Sequence, residues 1–200
     1  MGWARAVGMA AMIGGLWLGG SSVAWAEPQR FDVDPDHASI GFLVSHAGFA
    51  RVLGQFLEVE GGFTFDEPSG TVSDIRIAVE TDSVFTGHKA RDAHLRKKDF
   101  LWADEHPTMI FVGRRAERTG ERTGRIEGDL TLRGVTRPVT LDVTLNRTGP
   151  YPFGDRHYAV GISARGSIRR SDFGMNYGVA DGLVGDVVEI LVEMEGKRQP

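Results

Sequence analysis

The sequence contains no cysteine. Without a thiol the chain cannot form a disulfide, cannot carry a lipid on a cysteine at a cleavage site, and has no thiolate nucleophile or metal ligand. An excess of positive charge is also missing, because 23 basic and 27 acidic residues give a formal net charge of −4. Nucleic-acid binding calls for a basic patch, so this charge balance argues against a nucleic-acid partner.

Recognisable catalytic and metal motifs are absent as well. The chain has no Gly-x-Ser-x-Gly elbow and no glycine-rich phosphate loop that ends in Lys-Ser/Thr. None of its six histidines forms the four-apart pair of a helical zinc site; they are His37, His46, His88, His94, His106 and His157. We therefore predict no catalytic residue, no metal and no cofactor, and expect His37, His46 and His94 to hydrogen-bond to the backbone or to carboxylates.

Residues 1–26 have the composition of an export signal. Arg5 is their only charge, and the apolar run 6–20 is shorter than the ~20 residues that span a bilayer. A small-x-small pattern, Ala24-Trp25-Ala26, precedes Glu27. We predict a cleaved Sec-type signal peptide over 1–26 and a single periplasmic domain over 27–200, with a retained membrane anchor as the alternative.

The remaining chain alternates apolar and polar residues in short runs separated by turn signals. Examples are the run from Ile40 to Val44 and the run from Leu141 to Leu145. About eight such strands, each with one apolar face, predict an antiparallel sheet. Closure into a barrel removes exposed edges and leaves room for side chains or one small ligand, so we favour a barrel over a sandwich.

One passage, residues 88–98, predicts a short helix between strands. From Lys89 to Lys98 it has no glycine, proline or β-branched residue, and Asp92 precedes Arg96 by four positions, the order that favours an ion pair. Three large apolar residues, 100–102, follow it. The pattern predicts a short charged helix that crosses or plugs the barrel, followed by these three residues, which we call the apolar foot.

Four stretches, taken in order and spacing, resemble the YceI-like family: Phe31-Asp32-Val33-Asp34-Pro35-Asp36-His37 through His46, Ser83 through Phe111, Gly128 through Val139, and Arg170-Ser171-Asp172-Phe173-Gly174-Met175. The resemblance implies an extended, lipocalin-like eight-stranded barrel that holds a polyisoprenoid, such as an isoprenoid quinone or a polyprenyl phosphate. It also implies periplasmic location and, since some members are fused to or encoded with cytochrome b-type proteins, a membrane redox partner as one option.

The apolar strand faces then become the expected lipid contacts, with packing against one another as the alternative: Phe42, Val44, Phe56, Phe63, Ile75, Ile77, Val79, Phe100, Phe111, Leu130, Leu132, Val143 and Ile162. We place Phe49, Leu53 and Trp102 near the barrel mouth, with the loop 46–51 as either a lid or a plain hairpin connection.

Three arginines, Arg91, Arg169 and Arg170, have two interpretations. They pair with Asp92 and Asp172 and fix the helix to the barrel, or one of them faces a lipid head group, which a guanidinium suits. Two functional alternatives to a lipid carrier stay open: an adaptor with a filled barrel, and a hydrolase that acts on lipids. The sequence does not decide whether two barrels pair as a homodimer.

Overall fold

The computed structural model describes residues 27–200, so the predicted signal peptide lies outside the described residues. Ten strands make up most of this part: β1 (Gln29–His46), β2 (Ala50–Phe56), β3 (Val59–Asp66), β4 (Thr71–Glu80), β5 (Val84–Phe85), β6 (Thr108–Arg118), β7 (Thr123–Leu132), β8 (Val135–Pro150), β9 (Tyr158–Arg169) and β10 (Val184–Arg198). One α-helix, α1 (Lys89–Leu95), and two 3₁₀ turns, Thr81–Ser83 and Arg170–Phe173, complete the fold. No helix within residues 27–200 is long and apolar enough to cross a membrane.

The sheet closes on itself as an eight-stranded antiparallel barrel. Its order is β10-β9-β8-β7-β6-β4-β3-β1, and pairing between β10 and β1 joins the two ends. Strand β2 pairs with the second half of β1, whereas β3 pairs with its first half. Together β2 and β3 therefore act as one bent strand of the barrel. Strand β5 is a two-residue addition beside β2. The predicted barrel is confirmed, and the sandwich alternative is wrong.

The barrel has two ends that carry different elements, the helix end and the far end. The helix end carries the β1–β2 turn, α1 and the segment 170–183, and the far end carries the turns 67–70, 119–122 and 151–157. A cluster of stacked aromatic rings fills part of the far end, with the ring centroids of Phe31 and Phe63 5.7 Å apart.

A local bulge bends β3 where two glycines lie together. Gly61 has a φ of +127°, and a Cβ at this position would lie 2.1 Å from the carbonyl oxygen of Arg76 on β4. The register between β3 and β4 shifts just beyond Gly62. Only glycine combines this backbone angle with so close an approach of the neighbouring strand.

The helix is shorter than the predicted 88–98, because α1 ends at Leu95. The chain then turns back on itself, and the amide of Leu101 donates to the carbonyl of Leu95 (2.9 Å). This turn buries Phe100 and Leu101, which a continued helix would carry away from the barrel. Burial of the apolar foot therefore outweighs the helix propensity of residues 96–98.

The predicted ion pair inside the helix is replaced by contacts to the preceding loop. The buried carboxylate of Asp92 accepts hydrogen bonds from the amide (2.9 Å) and hydroxyl of Thr86. Arg96 donates to the backbone carbonyls of Asp82 and Val84. Both side chains anchor α1 to the segment that precedes it.

Candidate functional site

The barrel encloses a cavity of about 820 Å³. Ligand cavities in proteins commonly span about 300–1,000 Å³, so this space is large enough for an extended small molecule. Alternate residues of each strand form the cavity wall, because side chains in a strand have a period of two. On β1, for example, Ile40, Phe42 and Val44 all face inward. Its polar lining lies towards the two ends. At the helix end these residues are Ser45, His46, His88, Arg91, His94, Arg170 and Tyr177, and at the far end they are Glu67, Ser69, Thr71, Glu117, Arg118, Glu121, Arg122, Thr123 and Arg125.

All thirteen residues predicted as apolar lining lie on the cavity wall: Phe42, Val44, Phe56, Phe63, Ile75, Ile77, Val79, Phe100, Phe111, Leu130, Leu132, Val143 and Ile162. Their contact with a lipid stays a prediction. Sequence reasoning left out other wall residues that the same alternation indicates: Ile40, Leu141, Leu145, Val160, Ala164, Val188, Ile190, Val192 and Met194.

Arg170 is buried at the helix end and braces the backbone there. Only 2% of it is exposed. Its Nε donates to the carbonyl of Gly185 (2.7 Å), its Nη1 to Met175 (2.7 Å), and its Nη2 to Tyr177 (2.7 Å) and Val184 (2.8 Å). Burial lowers the pKa of this guanidinium below its usual value. Backbone carbonyls thus take the donors that the sequence analysis assigned to a lipid head group.

Arg169 points away from the cavity, because adjacent residues at a strand end face opposite sides. It forms an exposed ion pair with Asp186 (3.2 Å). Burial opposes ionisation of Asp186, but the hydrogen bonds from Ser171 and Arg169 hold the pKa of this carboxyl below its usual range. Arg169 is therefore a surface residue off the cavity wall, and this position gives its predicted role at a head group no support.

Of the three arginines predicted as possible head-group contacts, Arg91 lines the cavity and is only partly buried. Its Nε donates to the Thr86 hydroxyl (2.7 Å) and its Nη2 to the Thr86 carbonyl (2.9 Å). The predicted pairing of Asp92 and Asp172 with these arginines is wrong, since Arg169 pairs with Asp186 and Asp92 bonds to Thr86. Loop anchoring, not a link to the final strands, holds α1 in place.

None of the three residues predicted near the mouth lines the cavity. Leu53 faces outward on β2, and Phe49, 93% exposed, sits on the tight turn between β1 and β2. Trp102 lies outside the barrel, where Lys98 stacks over its ring at 4.8 Å. The loop 46–51 is thus a hairpin connection, and its aromatic residue is not packed.

The histidines near carboxylates form hydrogen bonds. His37 lies 3.0 Å from Asp34 and His94 3.2 Å from Asp99, as predicted for these two. The bond to Asp34 raises the pKa of the exposed His37 imidazole. Glu195 brings a further oxygen within 4.8 Å of the Asp34 and His37 ligand atoms, and its Oε2 is buried with no hydrogen-bond partner among the described residues.

Comparison with known proteins agrees with this architecture. The model of the YceI-like domain matches residues 31–196. A UPF0312 protein from Pectobacterium carotovorum is 36% identical over 182 residues, which cover 91% of this chain and 92% of the relative. The crystal structure of the Campylobacter jejuni YCEI protein superposes with a TM-score of 0.71 at 26% identity, covering 78% of this chain and 90% of that one. A polyisoprenoid binding domain from Saccharophagus degradans has the same fold (TM-score 0.61, 14% identity, 86% of this chain and all of that one). The chain belongs to the YceI-like family.

Proposed function

We propose that this protein is a periplasmic carrier that sequesters or transports a polyisoprenoid lipid, such as an isoprenoid quinone or a polyprenyl phosphate, inside its barrel. The observation that carries the proposal is the continuous apolar cavity of about 820 Å³. A lipid with a long apolar tail is insoluble in water, so its movement between membranes requires a protein that shields the tail. The name of the structurally similar polyisoprenoid binding domain points in the same direction.

The cavity wall suits such a ligand for a simple energetic reason. A polyprenyl chain offers only methyl, methylene and alkene surface, so its affinity has to come from buried area. At about 0.8 kcal/mol per buried CH₂ group, each five-carbon unit contributes about 4 kcal/mol before costs. Ordering of the flexible chain offsets much of this gain. A long apolar cavity that accepts several units supplies the remaining affinity.

We assign the head group to the helix end and to Arg91. Arg91 combines a position on the cavity wall with partial exposure, whereas Arg169 lies outside and Arg170 is occupied by backbone carbonyls. A guanidinium hydrogen-bonds well to a phosphate or a quinone oxygen. Substitution of Arg91 by Leu should therefore weaken binding of a polyprenyl phosphate more than binding of the uncharged polyprenol.

The structure favours a carrier over both alternatives. A filled barrel was the expectation for an adaptor, yet the interior holds a large cavity. A hydrolase calls for a histidine or aspartate with a perturbed pKa in the cavity. Among the described residues with shifted pKa values, Arg170 is the one that lines the cavity, and it serves as a brace.

The test is organic extraction of the exported protein, purified without detergent from its native compartment, followed by mass spectrometry. We expect a stoichiometric quinone or polyprenyl lipid. Protein that contains no lipid and takes up neither quinone nor polyprenyl phosphate when challenged would refute the proposal.

A pair of variants on β9 links binding to the cavity itself. Ala164 faces the cavity and Ser167 faces solvent. Ala164→Phe fills part of the cavity and should reduce the bound lipid by about tenfold, since the binding free energy lost with the displaced contacts is about 1.4 kcal/mol or more. Ser167→Phe adds the same ring on the outside and should leave the bound lipid unchanged. Equal lipid content in both variants would place the ligand outside the barrel.

A further inference from the structure

Exposed large apolar side chains are concentrated at one end of the barrel. Of the nine such residues within 27–200, two lie elsewhere, Val112 and Phe153. The other seven lie at the helix end, and we call them the apolar collar: Phe49, Leu53, Leu57, Phe85, Tyr177, Leu183 and Val187. A patch this uneven on the surface marks a site of interaction.

The apolar collar is continuous with the cavity. Tyr177 and Leu183 line the cavity and are also 44% and 39% exposed, so the wall reaches the surface at these two residues. The carbonyl of Leu183 accepts a hydrogen bond from Ala47 (2.9 Å) in the turn that carries Phe49. The cavity mouth and the most exposed aromatic residue are thus held next to each other.

Part of the apolar collar lies on the outer face of two short neighbouring strands. Leu53 and Phe85 stand on β2 and β5, which pair through Gln55 and Phe85. Strand β5 is the last member of this side of the sheet, and no further strand pairs with it within residues 27–200. The outer face of these strands is open to a partner because Leu53 and Phe85 are exposed on it.

Basic residues surround the apolar collar on the side of α1. The segment 88–98 has five of them, Lys89, Arg91, Arg96, Lys97 and Lys98, and one carboxylate, Asp92, so its formal charge is 5 − 1 = +4. The Asp92 carboxylate is buried.

Three carboxylates near this surface are already engaged, whereas Asp82, Asp104 and Glu105 at the same end are exposed. Asp99 bonds His94, Glu189 pairs with Arg51, and Asp181 accepts from the amide of Leu183. Neither Lys89 nor Lys97 has an ion pair within the described part of the chain. Lysine side chains beside exposed Phe and Leu form the pattern of surfaces that bind anionic bilayers.

We propose that the helix end docks on the surface of a bilayer that contains anionic lipids. The apolar collar enters the interface, the basic residues of 88–98 contact the anionic head groups, and the cavity mouth opens towards the acyl chains. A polyprenyl tail then slides between bilayer and barrel without crossing water, which would cost about 0.8 kcal/mol per exposed CH₂ group. A second copy of the chain fits this surface less well, because two segments of charge +4 would face each other.

The test is co-flotation of the exported protein with vesicles of phosphatidylcholine alone or with added phosphatidylglycerol. We expect binding to the anionic vesicles and weaker binding at high salt. The double variant Phe49→Ser/Leu53→Ser should bind roughly tenfold or more weakly, since each lost apolar contact is worth about a factor of ten. Phe153→Ser is the matched control, because Phe153 is 70% exposed but lies at the far end; it should float like the wild type.

Two results would overturn the docking proposal: wild-type protein that does not float with anionic vesicles, and a double variant that floats as well as the wild type. Light scattering after size exclusion provides a third test, because a wild-type dimer that the double variant loses would assign the apolar collar to a second copy. These substitutions are at exposed positions, and circular dichroism verifies that each variant folds.

The vesicles contain no polyisoprenoid, so the flotation assay does not depend on the proposed cargo. Only the functional meaning of docking rests on the proposed carrier function. Protein that yields a bound polyisoprenoid on extraction but fails to float keeps the carrier function and loses this inference. Protein that floats but carries no lipid does the reverse.

Discussion

Replacement of Arg170 by Met is the substitution that best separates a structural arginine from a ligand-binding one. The wild-type guanidinium donates four hydrogen bonds of 2.7–2.8 Å to backbone carbonyls in the segment 175–185. Methionine keeps the apolar part of the side chain and removes every donor. The carbonyls of Met175, Tyr177, Val184 and Gly185 then lose their partner.

The expected cost follows from these contacts. A hydrogen bond that involves a charged group contributes about 1.5–3 kcal/mol, so four of them would sum to about 6–12 kcal/mol if they were independent. They are not, because one side chain makes all four, water reaches the partly buried carbonyls, and removal of a buried charge recovers its desolvation cost. We therefore expect a loss of about 3–5 kcal/mol in the free energy of unfolding, or about 10 °C in Tm for a domain of this size.

Urea unfolding of wild type, Arg170→Met and Arg169→Met measures this difference. Arg169 is the matched control, since it is the neighbouring arginine and its ion pair with Asp186 is exposed. Loss of that pair should cost less than about 1 kcal/mol. Arg170→Lys should recover little of the loss, because one ammonium cannot reach four carbonyls in the plane of a guanidinium. An Arg170→Met protein that is as stable as the wild type but no longer binds a polyprenyl phosphate would refute the brace and restore the head-group role.

Two further variants test local features of the barrel. Gly61→Ala should lower the free energy of unfolding by about 2 kcal/mol or more, because its Cβ meets the backbone of Arg76 at a positive φ, whereas Gly161→Ala, with no atom closer than 3.8 Å, should cost less than about 1 kcal/mol in urea unfolding. His37→Gln should reduce the pH dependence of stability above about pH 6.5: the bond to Asp34 raises the folded-state pKa of His37, so its stabilisation is complete below the unfolded-state pKa and disappears as pH rises through the folded-state value. Parallel urea titrations at about pH 6 and pH 8.5 measure that difference, and identical pH profiles for the two proteins would contradict it.

The cavity wall could be predicted from the sequence because a strand has a side-chain period of two. Once Ile40, Phe42 and Val44 are assigned to one face, the antiparallel partners fix which residues of the next strand share it. No knowledge of the ligand enters that step. This is why the apolar residues chosen from single strands all lie on one continuous wall.

The inward face of β2 is hard to predict from the sequence because its pattern is short and interrupted. Val52 and Phe56 face the cavity, but the inward position between them is Gly54, whose missing side chain leaves space for the ring of Phe42. Alternation puts Leu53 on the outer face of β2, so it lies at the helix end but not on the cavity wall. A glycine opposite an aromatic ring on the paired strand is a signal that one sequence alone does not show.

The distinction between Arg169 and Arg170 was available in the sequence and was not used. Val160, Ile162, Ala164 and Ile168 alternate along β9, and the same period continues to Arg170. Continued alternation indicates that Arg170 points inward and Arg169 outward. What the sequence could not show is that carbonyls from residues 175–185 surround the inward guanidinium, because the path of that loop depends on its packing against β9 and β10.

The brace at Arg170 connects stability with the proposed uptake of lipid. The segment that it holds contains Tyr177, whose ring packs on His94 of α1 at 5.0 Å between centroids, and leads directly to Leu183. Tyr177 and Leu183 form part of both the cavity mouth and the apolar collar. Loss of the brace should therefore loosen the mouth before the rest of the barrel, because the carbonyls of Met175 and Tyr177 lie outside the strands and those of Val184 and Gly185 at the very start of β10. A lipid carrier needs a closed barrel to retain its cargo and a mouth that is held at the membrane to exchange it, and Arg170 joins the two because it fixes the mouth segment to the start of β10.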